Sequence, residues 1–184
     1  MLRAFRLLTP ALLVMTMAAG PVPRVDASGT IAAPTDYREW IFLSSGLNMN
    51  YSAESLPAGG DEFDNVFVDP ASWRAFKASG RWPEGTTFVK EGRHGATKGS
   101  INQTGQFQDG DATYIELHIR DTKRFKSGWG FFEVSGNTPA RVLPSTADCY
   151  ACHEQHGAVQ TSFVQFYPTA KPIAIKAGTF DPSR

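Results

Sequence analysis

Two cysteines and a histidine stand together near the end of the chain, and they are the residues best suited to chemistry. They lie in the segment CYACH, residues 149–153, and Cys149 and Cys152 are the only cysteines among the 184 residues. Two intervening residues allow one helical turn to present both sulfur atoms to the same edge of a planar ligand. Because His153 follows at once, its imidazole can bind a metal at the centre of that ligand. The C-x-x-C-H pattern therefore predicts a covalently attached haem c, with His153 binding the iron.

Three other uses of such a cysteine pair stay open from the spacing alone. An exported protein can close the pair as a tight disulfide. A thioredoxin-like redox pair usually follows an early strand and is not followed directly by histidine. A structural zinc site usually takes four ligands, and the sequence has no second cysteine pair. Each of these explains the pattern less completely than haem attachment does.

The second axial position of the iron decides what class of protein this is, because electron-transfer cytochromes fill it with Met or His. Met49 is the only methionine beyond the N-terminal apolar segment. His94 lies beside a glycine and His118 on the polar side of a strand, so we expect both at the surface. His156 is too close to His153 to reach the opposite face of the ring. We therefore predict an open or water-occupied site, where a small molecule can bind or react.

Residues 1–27 are expected to be a signal peptide. A basic start precedes an apolar run at residues 7–19, and Ala27 is a small residue after which cleavage could occur. The run is shorter than the roughly 20 residues of a membrane span, although an uncleaved anchor is the alternative. This predicts export to the periplasm and one domain, residues 28–184, with no membrane contact after cleavage.

The charge of the predicted mature chain argues against one class of partner. Removing the signal peptide takes away three basic residues and one acidic residue, which leaves 15 basic and 17 acidic residues and a formal charge of −2. No basic stripe is present, so we expect no nucleic-acid binding.

The hydrophobic pattern predicts an α+β fold: a mostly antiparallel β-sheet with a few short helices and a C-terminal haem-binding helical segment. The clearest helix is residues 69–80, with Asp69 as its cap, Pro70 in its first turn and Gly80 at its end. Residues 41–62 are expected to begin apolar and become a loop. A helical segment is expected to start near Ser145 and to continue to Pro168. A short helix is predicted at residues 34–40, and strands at 63–69, 86–93, 112–120 and 129–134.

Alternation along two of these strands separates their side chains onto two faces. In the strand at 86–93, Phe88 and Lys90 face one way, and Val89 and Glu91 the other. In the strand at 112–120, Ile115, Leu117 and Ile119 face one way, and Tyr114, Glu116, His118 and Arg120 the other.

An ordered set of motifs resembles the cytochrome P-460 family from Tyr37 to Pro168. The motifs are YREW (37–40), VDPASW (68–73), WPEGTTFVKE (82–91), RDTKRF (120–125), CYACH (149–153) and FVQFYP (163–168). The resemblance implies an exported protein, commonly a homodimer, with one haem c on a mostly antiparallel sheet. It also implies oxidation of hydroxylamine, and processing of nitric oxide, at a five-coordinate iron, with electrons passed to a small acceptor cytochrome.

The resemblance also implies roles for particular residues. Lys90 matches the lysine whose amine is bonded to a porphyrin carbon in this family. Glu116 is the position expected for a distal base, with Glu133 as a second candidate. Asp64 stands where a basic residue would not be surprising, which leaves the polarity of the pocket open. An aromatic cap could be formed by Phe63, Phe67, Phe88 and Phe131, although core packing explains each equally well.

Two other function classes are retained. The related cytochrome c′-beta class shares the fold, lacks the lysine bond, and binds nitric oxide and carbon monoxide without turnover. A plain electron-transfer protein would instead use Met49 or His94 as its second iron ligand.

Overall fold

Alternating strand residues dominate the middle of the chain and build one five-stranded antiparallel sheet, in the strand order β2-β3-β4-β5-β6. The computed structural model describes residues 22–49, 60–99, 101, 103–135 and 138–184. Within them the strands are β1 (Thr30–Ile31), β2 (Ile41–Leu47), β3 (Glu62–Val68), β4 (Thr87–Ala96), β5 (Phe107–Arg120), β6 (Trp129–Val134) and β7 (Ala140–Arg141). The helices are α1 (Pro70–Ser79), α2 (Asp148–His156) and α3 (Lys171–Lys176), with 3-10 turns at Tyr37–Glu39 and Val164–Phe166. The predicted α+β class is confirmed.

The helix α1 forms where the sequence predicts it, and its capping explains why. The Asp69 carboxylate accepts a hydrogen bond from the backbone N–H of Ser72 at 2.8 Å, and Pro70 occupies the first turn. At the other end Gly80 takes a left-handed φ of 67° and donates to the carbonyl of Phe76, a conformation that glycine adopts without strain. The helix buries Phe76 in the core on one side of the sheet.

The sheet separates two hydrophobic clusters, as the alternation predicts. Phe88 and Phe131 belong to the cluster that also packs against α1 and the C-terminal segment. Val89, Leu117 and Ile119 belong to the cluster on the other face. Position 90 lies in the middle of the sheet, because it pairs with Val66 on β3 and with Glu116 on β5.

Three expectations about the elements were wrong or incomplete. Residues 41–47 form a full strand, β2, rather than the start of a loop. The helical segment after Ser145 does not continue to Pro168: α2 ends at His156, and Gln160 and Thr161 have φ values of 49° and 60°, which no right-handed helix can accommodate. The helix α3, beyond Pro168, was not predicted.

The predicted signal peptide lies mostly outside the described residues, which begin at position 22. The part that is described includes Val22 and Val25, and both pack against the second hydrophobic cluster. Among the helices of the described ranges, none is both long enough and apolar enough to span a bilayer.

Candidate functional site

A cavity of about 570 Å³ lies between one face of the sheet and α2. Its walls come from strands β2 to β5, from α2 and from the segment that follows α2. The lining includes the chemically versatile side chains Met49, Asp64, Lys90, Glu116, His118, Asp148, Cys149, Cys152 and His153, and the aromatic side chains Phe88, Phe163, Phe166 and Tyr167. Cys149, Cys152, His153, Lys90 and Glu116, the main residues that the sequence singled out for chemistry, therefore line the same cavity.

The helix α2 carries the CYACH segment on the wall of this cavity. Cys149 and Cys152 are half-buried and unbonded to each other, so the structure does not hold them as a disulfide. Burial raises the pKa of both thiols. Both sulfur atoms are thus available, at one helical turn's separation, to a planar group lying in the cavity.

The hydrogen bond and the burial of the His153 imidazole favour metal binding. Its Nδ1 lies 2.8 Å from the carbonyl oxygen of Thr161, and a hydrogen bond donated there leaves Nε2 as the unprotonated nitrogen. Burial lowers the pKa of His153 to about 4, so the ring is neutral at pH 7, as a metal ligand must be. The ring also packs on Phe163, with centroids 4.1 Å apart, and on Phe131 at 4.8 Å.

His118 is not the surface residue that we expected. Its ring meets that of His153 edge-on, with centroids 4.7 Å apart, and meets Phe131 at 4.5 Å. Burial lowers its pKa well below that of an ordinary histidine. The strand alternation that turned Glu116 towards the cavity also turned His118 there, and this signal could have placed it.

Lys90 lies between two carboxylates on the adjacent strands. Its Nζ is 3.4 Å from Oε2 of Glu116 and 3.5 Å from Oδ1 of Asp64. The same Nζ stands 4.9 Å from the centre of the Tyr114 ring, and the Tyr114 hydroxyl donates a hydrogen bond to Asp64. Direct pairing of Lys90 with Glu116 across β4 and β5 accounts for the first contact.

Glu91, the next residue along β4, faces the opposite side of the sheet, as predicted. Its side chain is almost completely buried, and it accepts hydrogen bonds from Tyr37, Arg38 and Arg93. This carboxylate is therefore part of the core and not of the cavity.

Some predicted site residues are not brought to the cavity. Glu133 pairs with Glu116 in the register of β5 and β6, but it is exposed and is not part of the lining. Phe67 packs against Tyr37 at 5.6 Å on the other face of the sheet, Phe63 does not line the cavity, and His94 is exposed. Of the four candidate capping aromatics, only Phe88 lines the cavity, while Phe131 supports His153.

Several lining residues were missed from the sequence. Ser44 and Leu47 lie on β2, which was not recognised as a strand, and Phe163, Phe166 and Tyr167 follow a chain reversal that was expected to be helix. The FVQFYP motif was the available signal for the last three.

These features fit a haem. A volume of about 570 Å³ lies within the roughly 300–1,000 Å³ of ligand and cofactor pockets. The aromatic walls suit a large apolar ring, and a neutral imidazole suits its iron. A structural zinc ion would need about four ligands, and in the described part of the chain no group of three or more His, Cys, Asp or Glu side chains could hold a metal ion.

Comparison with known proteins agrees with this assignment. No curated protein matches the chain. The model of the cytochrome P460 family matches residues 34–164, a stretch that contains β2 to β7, the whole of the CYACH segment and both Lys90 and Glu116. The chain therefore belongs to the cytochrome P460 family of haem-binding cytochromes.

Proposed function

We propose that this protein is an exported, periplasmic cytochrome with one haem c that oxidises hydroxylamine and also processes nitric oxide. Cys149 and Cys152 would form the thioether bonds, and His153 would bind the iron. The observation that carries the proposal is the placement of Lys90 and Glu116, which face the same cavity as the CYACH segment and lie 3.4 Å apart.

The roles of the protein groups follow from the chemistry of hydroxylamine. When bound, the haem supplies an iron that coordinates the substrate nitrogen and accepts its electrons. Removing electrons from hydroxylamine also removes protons, so a base beside the substrate is needed. Glu116 lines the cavity and is about one-third exposed, and it would accept a proton there. The electrons would leave to a small acceptor cytochrome.

Lys90 would be bonded through Nζ to a carbon of the porphyrin. That bond replaces one N–H and one C–H bond, so two protons and two electrons leave, and a two-electron oxidant from outside the chain, such as a peroxide that is reduced to water, would have to accept them. The amine must lose its proton before it can attack. Glu116 and Asp64, at 3.4 Å and 3.5 Å from Nζ, are the groups that can accept it.

Digestion of the denatured holoprotein with trypsin tests this assignment. A bonded Lys90 cannot be cleaved, so we expect peptide 82–93 to stay joined, through haem, to peptide 142–176. The variant Lys90→Arg should release a free 82–90 peptide and leave the haem on 142–176 alone. The variant should also lose hydroxylamine oxidation with an artificial electron acceptor. Release of a free 82–90 peptide from the unchanged protein contradicts the proposal.

A second candidate function has its own support. An ammonium held between two carboxylates has no lone pair to offer a porphyrin carbon, and Lys90 has that environment in this structure. If Lys90 stays an ammonium, the protein would be a nitric oxide or carbon monoxide binder of the cytochrome c′-beta kind. The digestion separates the two functions, because only the first joins the peptides.

Two further expectations come with the proposal. Members of the family are commonly homodimers, and sedimentation of the holoprotein would measure whether this protein is one.

Met49 lines the cavity and is 47% exposed. If its sulfur atom bound the iron, the protein would be an electron carrier instead of an enzyme. A high-spin spectrum of the oxidised protein is expected, and a low-spin spectrum that Met49→Leu converts to high-spin contradicts the proposal.

A further inference from the structure

The cavity has an acidic wall. Among its described lining residues, the carboxylates of Asp64, Glu116 and Asp148 face one ammonium, that of Lys90, which gives a formal charge of −2. No arginine is among these residues. Bonding of Lys90 to the porphyrin would remove its positive charge and leave the carboxylates without a partner cation in the described lining.

Asp64 is the member of this group with the firmest position. It lies on β3 two residues before Val66, the position that pairs with Lys90. The Tyr114 hydroxyl donates a hydrogen bond to one of its oxygens, and its side chain is only 21% exposed. A partly buried carboxylate that accepts a hydrogen bond in this way keeps its charge at a fixed place in the cavity wall.

A fixed negative charge discriminates between ligands by their own charge. Inside a partly enclosed site, like charges repel several times more strongly than in bulk water. Anions such as azide or nitrite meet this repulsion, whereas neutral hydroxylamine and nitric oxide do not. Hydroxylamine can in addition donate hydrogen bonds to a carboxylate.

We propose that Asp64 determines specificity: its carboxylate excludes anionic ligands from the iron and admits neutral nitrogen ligands. This inference rests on the proposed function, since it assumes a haem iron with an open position facing the cavity. It adds to that function a selection of ligands by charge, and it assigns a role to a residue that lies in none of the motifs quoted above.

Two small ligands of different charge test the inference on the oxidised holoprotein at pH 7.5. Azide is anionic and nitric oxide is neutral, and both affinities are read from the absorption spectrum. In Asp64→Asn, which keeps an oxygen for the Tyr114 hydroxyl, we expect azide to bind about tenfold more tightly, with nitric oxide affinity changed less than twofold. Asp111→Asn, which removes an exposed acid outside the cavity lining, should change neither affinity.

The possible results have distinct meanings. Equal changes for azide and nitric oxide in Asp64→Asn, or no change for either, overturn the inference. Hydroxylamine turnover of the unchanged protein is measured in parallel. Turnover without charge discrimination contradicts the inference alone, and charge discrimination without turnover contradicts the proposed function alone. Failure of both ligands to bind the unchanged protein overturns both.

Discussion

The contact between Lys90 and Glu116 is better understood as positioning than as stabilisation. Their side chains are 29% and 34% exposed, and an ion pair with that much access to water contributes little, typically under about 1 kcal/mol. The pair nevertheless occupies directly opposed positions on two central strands. Removing Glu116 should therefore affect chemistry in the cavity much more than folding.

Glu116→Gln is expected to lower kcat for hydroxylamine oxidation by about a hundredfold or more, the usual contribution of a positioned general base. The glutamine has almost the same shape but cannot accept the proton at neutral pH. Glu133→Gln is the matched control, because Glu133 pairs with Glu116 across β5 and β6 yet is exposed outside the cavity. Steady-state kinetics of both variants decide the matter, and equal losses would argue against a role for Glu116 as the base.

Glu91, on the far face of the same strand, is a structural carboxylate. Burial alone would raise its pKa, but hydrogen bonds from Arg93, Tyr37 and Arg38 outweigh burial and hold the pKa below that of an ordinary glutamate. Its side chain is 3% exposed, while that of Arg38 is 58% exposed. The arginines and the tyrosine thus stabilise the ionised form at the rim of the core.

Because the folded-state pKa of Glu91 is depressed, its stabilising effect is present in full above the pKa of a free glutamate, about 4.3. It is lost as the pH falls from there through the lower folded-state pKa. We expect Glu91→Gln to lower the free energy of unfolding by about 2 kcal/mol at pH 7, and the difference from the unchanged protein to shrink below pH 4. Urea denaturation at both pH values measures this, and a difference that does not depend on pH would contradict it.

Local sequence signals placed some elements well and others poorly, for physical reasons. The helix α1 and the strands β4 to β6 could be predicted because caps, turns and alternation act over a few neighbouring residues. The strand β2 could not, since a register shift between Phe42 and Ser44 interrupts its alternation. The helix α2 ends at His156 because Gly157 adopts an extended conformation, and the left-handed Gln160 and Thr161 then prevent a helix from resuming; neither of these two residue types predicts a left-handed conformation.

Some residues of the candidate site could likewise be predicted from the sequence, and others could not. The CYACH segment and Lys90 could be found because a motif fixes them in sequence. His118 could have been placed beside Glu116 by the alternation of β5, whereas the contact of Asp64 with Lys90 could not be predicted, because it depends on which strands are neighbours in the sheet. Pairing of β3 with β4, and packing of α2 on the sheet, are properties of the whole fold.

The cap of α1 links the helix to the sheet. One oxygen of the Asp69 carboxylate accepts from the Ser72 N–H at 2.8 Å and the other from the Thr87 N–H at 3.0 Å, and the residue is 1% exposed. Loss of a cap costs about 1 kcal/mol, and a buried N–H without a partner costs about 1–3 kcal/mol more.

Asp69→Ala is therefore expected to lower the free energy of unfolding by about 3 kcal/mol. Asp36→Ala is the control, because Asp36 holds the same position before the 3-10 turn Tyr37–Glu39 but makes no side-chain capping bond. That change should cost less than about 0.5 kcal/mol. Chemical denaturation of the two variants measures the difference, and similar losses would show that the Asp69 hydrogen bonds do not provide the stability assigned to them.

Across the molecule, the two walls of the cavity differ in how they are stabilised. The strands that form the sheet wall also carry Val89 and Leu117, both fully buried on the opposite face of the sheet. In contrast, none of the α2 residues is fully buried, and the helix has no side-chain cap at its N-terminus. A helix of nine residues is too short to be stable in isolation, so its own sequence contributes little to its stability. Its Tyr150 and His153 rings pack on Phe131, and we expect a group that fills the cavity to add substantially to the stability of this position.

Hydrogen exchange should reveal this asymmetry when haem is withheld. In protein expressed without haem attachment, we expect the amides of residues 150–156 in α2 to exchange about a hundredfold faster than in the holoprotein, because a ligand that binds only the folded site stabilises it. The amides of Val89 and Leu117 serve as the internal control and should stay protected in both forms, since they lie in the central strands β4 and β5. Mass spectrometry of exchanged peptides resolves the two regions.

Equal protection of α2 with and without haem would show that the helix is held by the polypeptide alone. Loss of protection in β4 and β5 as well would show that haem supports the whole sheet and not only the wall that carries the proposed attachment residues.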